Sequence, residues 1–306
     1  MRSSLTFCIA VLCLCQFTLN AEIRTWTSSD GRTTEAEFVK ADTKTVTLKK
    51  GSRTFKLPLE KISAADKEYI KTKLAEVNQV SVSSLGDHAK YAKASWVKGE
   101  HKKLQFQIYA PDSYTKDNKL PLVIFLHGSG ERGSDNEKQM DGRPEKFTSE
   151  KNLSKRPCIV IAPQCPSGQH WTNGDLVQAV LSLTKDITKN MPVDEDRIYL
   201  SGFSMGGYGT WALLADSPKT FAAAIPISGG ANPSIANKIK NIPIWNFHGD
   251  ADNAVAVNNS RTIIEALEKA KAKIKYTEYK GAGHSICRKV LSDEKVMEWL
   301  FEQKKN

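Results

Sequence analysis

Ser204 stands in the run Gly202-Phe203-Ser204-Met205-Gly206, between an apolar stretch at 198–200 and a helix-like segment that begins at Met205. A serine hydroxyl attacks a carbonyl only when a base takes its proton and a third group orients that base. Residues of those types follow downstream. After a strand-like run at 243–247 comes HGDADNAVAV, where Asp250 and Asp252 compete for the orienting role. Asp252 fits the pattern HG-x-x-D-x-x-V, with Val255 packing back toward the sheet, and leaves Asp250 to cap the turn. Asp216, after the helix-like segment, is more simply a helix-terminal surface acid. The last strand-like run leads to YKGAGHSIC, which puts His284 in a glycine-flanked loop directly before the final amphipathic segment. Of the six histidines, His88, His101 and His170 precede Ser204, and His127 and His248 lie in HG turns, where bracing a loop is the simpler role. Ser204, Asp252 and His284 are therefore the candidate nucleophile, orienting acid and general base, and their joint chemistry would be acyl transfer.

Attack on a carbonyl creates an oxyanion, which needs fixed, unpaired donors beside it. A helix that starts at Met205 leaves its first N–H groups without partners and points a positive dipole end at Ser204. The run at 122–126 ends in HGSGERG, a turn that brings a second donor. The candidate oxyanion donors are the backbone N–H groups of Met205 and Ser129, with Gly128 and Gly130 lining the site and letting the loop come close to substrate. No zinc-type spacing exists among the cysteines, so no structural metal is expected, and acyl transfer by these residues needs no metal or organic cofactor.

These groups need a frame. From residue 88 onward, two strands at 94–97 and 104–109 flank a GEHKK turn. Apolar runs at 122–126, 158–162, 197–200, 222–227, 243–247 and 274–279 then alternate with helical segments at 176–189, 205–215, 260–272 and 289–302. Continuous apolar strands separated by helices predict a parallel sheet covered on both faces, the doubly wound α/β class. The strand at 197–200 would then meet its helix in a sharp turn with Ser204 at the apex, Gly202 and Gly206 sparing collisions with neighbouring chain.

Ahead of that domain, 22–76 carries four short strand patterns at 23–27, 34–40, 45–49 and 54–57, then a helix through 74 that Ser63 and Asp66 open as a capping box. With no nucleophile and base of its own, this small barrel reads as a binding or spacing module for a protein or a surface. A polar, serine-rich stretch at 77–87 reads as a linker. Residues 1–21 have a basic start at Arg2, an apolar core and a small residue at Ala21, the pattern of a signal peptide. The mature protein is thus expected to be secreted or periplasmic, without stable membrane insertion, since no other apolar run approaches spanning length. An uncleaved anchor stays open, because the large Leu19 lies near the proposed cut. The net charge of +10 comes from lysines interspersed with acids and without interleaved aromatics, which argues for a solvated surface and no nucleic-acid partner. Of six cysteines, Cys158, Cys165 and Cys287 would remain after cleavage. Cys158 opens the apolar run CIVIA and reads as core. Cys165 and Cys287, in loops near the candidate site, are expected to pair.

Two resemblances extend this reading. LPLVIFLHGSGERGSDN, IAPQCPSGQHW, DRIYLSGFSMGGYGTW, HGDADNAV and GAGHS resemble the esterase branch of the α/β-hydrolase superfamily, near feruloyl esterases and polyhydroxybutyrate-depolymerase-like proteins. The likeness runs from about residue 88 to the C-terminus. It implies an α/β-hydrolase fold acting on esters, with Gln164 and Trp171 lining the site and Glu131 and Arg132 bracing the oxyanion loop. The N-terminal arrangement, from Arg24 and Trp26 through Asp30-Gly31-Arg32 to LPLEKISAADKEYI, resembles the small SH3-like homology domain 1 found in a yeast actin-assembly adaptor and ahead of enzymes in exported planctomycete and verrucomicrobial proteins. The segments between strands are short, and no long apolar insertion offers a lid, so an open cleft and a bulky or polymeric ester are expected. Two other readings stay open: a peptidase like the prolyl-oligopeptidase relatives, and a non-catalytic surface-binding protein.

Overall fold

The computed structural model describes residues 23–305 except 43, 84 and 113–118, with the backbone alone described for 74–83. The proposed signal segment at 1–21 lies outside the described residues. Backbone contacts divide the chain into two units, Met1–Glu76 and Val77–Asn306.

In the first unit, β1 (Ile23–Thr27), β2 (Thr33–Ala41), β3 (Thr45–Lys50) and β4 (Arg53–Pro58) form an antiparallel sheet in sequence order. Alternation sends Trp26, Ala36, Val46 and Leu48 to one face, where Ile62 and Ile70 close a small core. Asp66 ties this unit together. Its carboxylate accepts from the Thr27 N–H (2.7 Å), the Ser63 hydroxyl (2.8 Å) and the Arg24 guanidinium (2.7 Å), while the Asp66 N–H donates to Ser63 Oγ at 3.1 Å. Helix α1 (Ala64–Ser83) starts from that cap and continues past residue 74, so 77–83 of the expected linker is helical. A 3-10 turn follows at Gly86–Tyr91.

The second unit is an eight-stranded sheet built from β5 (Trp96–His101), β6 (Leu104–Tyr109), β7 (Leu120–Leu126), β8 (Ile159–Pro163), β9 (Val193–Phe203), β10 (Ala223–Ile227), β11 (Ile244–Gly249) and β12 (Ile274–Tyr279). Their order is β12-β11-β10-β9-β7-β8-β6-β5. The six strands from β12 to β8 run parallel, and β6 and β5 add antiparallel at one edge. The hairpin at that edge is tighter than the predicted GEHKK turn: β5 runs through His101, and Lys102 and Lys103, both at positive φ, make the turn.

Helices α2 (Glu150–Leu153), α3 (Gly174–Asn190), α4 (Met205–Asp216), α5 (Ala236–Ile239), α6 (Asn258–Lys269), α7 (Cys287–Ser292) and α8 (Glu294–Glu302) connect the strands. Leu122, Ile124 and Leu126 of β7 pack with α3, α4 and α6 on one face, while Val123 and Phe125 pack with α7 and α8 on the other. The single C-terminal helix predicted at 289–302 is broken at Asp293, whose carboxylate leaves α7 behind and caps α8 through the Lys295 N–H at 2.9 Å.

The expected Cys165–Cys287 bridge is absent. Both thiols are free and buried, Cys165 in the core on the α3 side of the sheet and Cys287 in the core on the other, so the sheet separates them. Burial raises the Cys165 thiol to about 12 and pushes that of Cys287 higher still, so both stay protonated and inert. Among the described residues no helix is long and apolar enough to cross a membrane.

Candidate active site

Strand order reverses at β7, which pairs with β8 on one side and β9 on the other, and a crevice opens where such neighbouring strands diverge at their carboxyl ends. Ser204 follows directly on β9 and the Gly128 loop follows β7, so topology alone brings them together. Ser204 adopts φ 57° and ψ −116°, a strained conformation for a side chain with a Cβ. It persists because its surroundings fix it: the Ser204 N–H donates to the Ile227 carbonyl at 2.9 Å and its own carbonyl accepts from Tyr208 N–H at 3.1 Å. The flanking glycines have a steric cause. A Cβ on Gly202 would lie 2.2 Å from the Gly206 carbonyl oxygen, and one on Gly206 would lie 1.9 Å from the Leu126 carbonyl oxygen.

His284 and Asp252 arrive from loops after β12 and β11. His284 Nε2 lies 2.8 Å from Ser204 Oγ and its Nδ1 lies 2.7 Å from Asp252 Oδ2. The two loops touch closely enough that a Cβ on Gly249 would sit 2.2 Å from the Ala282 carbonyl oxygen. Asp250 takes the turn role: its Oδ1 accepts the Gly281 N–H at 2.6 Å and so holds the histidine loop. Burial alone would raise the Asp252 carboxyl, but the Val255 N–H, the His284 ring and the Ala254 N–H outweigh it and hold the pKa below the ordinary value. Asp252 is thus an anion facing Nδ1, which places the ring proton on Nδ1 and leaves Nε2 free to accept from Ser204.

The Ser129 and Met205 amides have no hydrogen-bond partner among the described residues, as donors reserved for an oxyanion require. Ser129 opens a 3-10 turn at Ser129–Glu131, and Arg132 Nε braces it by donating to the Ser129 carbonyl at 2.9 Å. Glu131 faces inward, 3.3 Å from Arg143 Nη1. His127 is a buried brace: its Nε2 accepts the Cys165 N–H at 2.9 Å while Nδ1 faces the Gly128 carbonyl at 2.5 Å, and burial lowers its pKa to about 4, so the ring is neutral.

Gln164 and Trp171, expected to line the site, lie behind it. Trp171 is fully buried and donates from Nε1 to the His127 carbonyl at 3.0 Å. Gln164 is 1% exposed, accepts the Asn136 N–H at 2.7 Å and donates to Asp135 at 2.8 Å. Both hold the Gly128 loop in place, because each polar group is consumed by the loop backbone or its neighbours. Gly128 is itself buried, and Gly130 is exposed at the loop tip.

Three residues at the site went unread in the sequence. The Phe203 ring packs on the His284 imidazole with centroids 4.8 Å apart, and the Arg143 guanidinium lies over the same Phe203 ring, 4.5 Å from its centroid. Ser228, at positive φ, donates to the His284 carbonyl at 3.3 Å. Phe203 is adjacent to the nucleophile and could have been suspected. Arg143 and Ser228 meet the site only through the fold.

A model of the dienelactone hydrolase family matches residues 106–298. Feruloyl esterase B of Piromyces equi is 32% identical over 48% of this chain and 29% of its own length. The Arabidopsis thaliana protein named probable carboxylesterase SOBER1-like is 27% identical over 60% of this chain and 78% of its own. Among solved structures, a thermostable esterase superposes with a TM-score of 0.65 at 34% identity, covering 69% of this chain and 63% of that one. The chain therefore spans under a third of the feruloyl esterase and under two thirds of the thermostable esterase.

Proposed function

This chain belongs to the dienelactone hydrolase family, and from that premise we propose that it is a serine carboxylic-ester hydrolase working through Ser204, His284 and Asp252. The observation that carries the proposal is the continuous chain of hydrogen bonds, 2.8 and 2.7 Å long, from Ser204 Oγ through the imidazole to Asp252. His284 Nε2 takes the hydroxyl proton as Oγ attacks the ester carbonyl. Asp252 keeps the ring in the required tautomer and stabilises the imidazolium without taking the proton. The Met205 and Ser129 amides receive the oxyanion, each donor contributing about 3 kcal/mol in the transition state. The imidazolium then protonates the leaving alcohol, and water activated by the same ring releases the acid from the acyl-enzyme. No step requires a metal or an organic cofactor.

We further propose that the enzyme is exported through the segment at 1–21 and that the N-terminal sheet is an SH3-like module that engages a protein or a surface. Esters of polysaccharides, feruloyl and acetyl esters foremost, are the proposed substrates. The names of similar proteins, among them a feruloyl esterase and a bifunctional acetylxylan esterase/xylanase, support that range; the expected short connections do not, because the one between β7 and β8 runs from 127 to 158. The test is a panel of aryl and acyl esters, including feruloyl and acetylated-xylan substrates, given to purified protein lacking residues 1–21. Hydrolysis that Ser204→Ala abolishes is expected. Absence of turnover on every ester overturns the proposal.

A further inference from the structure

The connection between β7 and β8 places a cluster of charged side chains against the Gly128 loop, and no step of the proposed mechanism uses it. Arg143 stands at its centre, with a side chain only 13% exposed. Its Nη1 is 3.3 Å from Glu131 Oε1 and also contacts the Asp141 carboxylate, while the guanidinium covers the Phe203 ring. Gly128 completes the cluster. A Cβ there would lie 3.0 Å from Glu131 Oε2 and 3.4 Å from the Phe203 ring, so the Gly128 backbone rests between the two groups that Arg143 joins. The Gly128–Ser129 peptide carries one of the two N–H groups proposed for the oxyanion. What Gly128 packs against therefore sets where that donor points.

The two carboxylates on Arg143 are not equivalent. Asp141 has a second cation, Arg288, at 3.9 Å. Glu131 has no permanent cation but Arg143 among the described residues: its other neighbour, His127 Nδ1 at 3.9 Å, belongs to a ring that burial keeps neutral. Glu131 Oε2 is also buried without a hydrogen-bond partner among the described residues. Deprived of Arg143, this carboxylate becomes an uncompensated charge and turns toward water. Because Glu131 closes the turn that Ser129 opens, that movement removes the support under Gly128 and swings the Ser129 N–H away. Arg132 is no substitute, since it donates to the Ser129 and Gln169 carbonyls and not to the carboxylate.

We propose that Arg143 is a positioning residue for the oxyanion hole. It holds Glu131 beside Gly128, with Phe203 as the platform that fixes the guanidinium plane, and so keeps the Ser129 N–H aimed at the substrate's carbonyl oxygen. The inference rests on the serine-esterase reading above and adds to it a residue outside the proton path. An ion pair with a purely structural role would change the melting temperature and leave the chemistry alone.

The experiment compares phenyl acetate with its thiono analogue, in which sulfur replaces the carbonyl oxygen, in the full enzyme and in Arg143→Gln, Arg143→Lys and the double variant Arg143→Gln/Glu131→Gln. Sulfur accepts hydrogen bonds weakly, so the thiono ester gains little from the two amides. In Arg143→Gln, kcat for the oxygen ester is expected to fall about a hundredfold, the value of one oxyanion donor, with KM within about twofold and thiono turnover within about threefold. Adding Glu131→Gln removes the stranded charge and is expected to restore about tenfold of that loss. Arg143→Lys keeps the charge but not the flat contact with Phe203; it is expected to lose about tenfold on the oxygen ester alone, and it decides the matter if Arg143→Gln does not fold. The rate of fluorophosphonate labelling at Ser204 also draws on the oxyanion donors and should follow kcat across the variants, and it decides for an enzyme that turns over neither ester. Unchanged kcat in folded Arg143→Gln, an equal fall on both esters, or no recovery in the double variant overturns the inference and leaves the esterase reading intact. An enzyme that hydrolyses neither ester and takes no label at Ser204 overturns both.

Discussion

Replacing Asp252 with asparagine changes almost nothing in the shape of the site and should nearly abolish turnover. Asp252 Oδ1 accepts the Ala254 and Val255 N–H groups at 2.8 Å each, and Oδ2 faces His284 Nδ1 at 2.7 Å. An asparagine keeps the loop by directing its own Oδ1 at the two N–H groups. Its NH2 then points at His284 Nδ1, which must become an acceptor. The ring proton moves to Nε2, where it faces Ser204 Oγ at 2.8 Å and cannot accept the serine proton. The negative charge that stabilises the imidazolium is lost as well. By analogy with the same change in other serine hydrolases, kcat should fall about 10⁴-fold, or about 5.5 kcal/mol of transition-state stabilisation. The assay is kcat for an acetyl ester alongside a thermal melt, because the retained loop bonds predict a melting temperature close to that of the unaltered protein. A fall of less than tenfold with an unchanged melt would refute the tautomer argument.

Gly206→Ala places a methyl 1.9 Å from the Leu126 carbonyl oxygen, an atom fixed in the sheet, and should cost more than about 3 kcal/mol in urea unfolding or prevent soluble expression. His127 is held at about 4 when folded against an ordinary 6.5, so the unfolded chain binds a proton that the folded chain refuses; the stability present above pH 6.5 should decline by about 3 kcal/mol as pH falls to about 4, and His127→Gln should flatten that slope in melts taken across the range. Asp66→Ala strips Arg24, the Thr27 N–H and Ser63 of their common partner and should destabilise the N-terminal unit by about 2–4 kcal/mol, seen as lost hydrogen-exchange protection in β1 and the start of α1 while ester turnover is unchanged.

The parallel strands were legible because burial on both faces writes continuous apolar runs, as in Leu122 to Leu126 and Ile159 to Ile161. What failed to show was structure set by tertiary contact. Strand β9 begins four residues earlier than its apolar core suggests, since Asp194, Glu195 and Asp196 sit at the sheet's end and look like a loop in the sequence. Residues 77–83 are polar and serine-rich, yet they prolong a helix already nucleated by the Ser63 cap. Local motifs carried the candidate site well: Ser204, Asp252 and His284 meet at hydrogen-bonding distance, each after its strand. Gln164, Trp171, Cys165 and Cys287 were misplaced because proximity in sequence to active-site loops does not tell which side of a loop, or of a sheet, a side chain takes.

The central claim is that Ser204 is a nucleophile activated by His284, and covalent labelling tests it most directly. Protein treated with a fluorophosphonate, digested and analysed by mass spectrometry should carry one adduct, on the peptide holding Ser204, formed at least a hundredfold more slowly in His284→Ala and not at all in Ser204→Ala. An adduct on another residue, or undiminished labelling of Ser204→Ala, would contradict it.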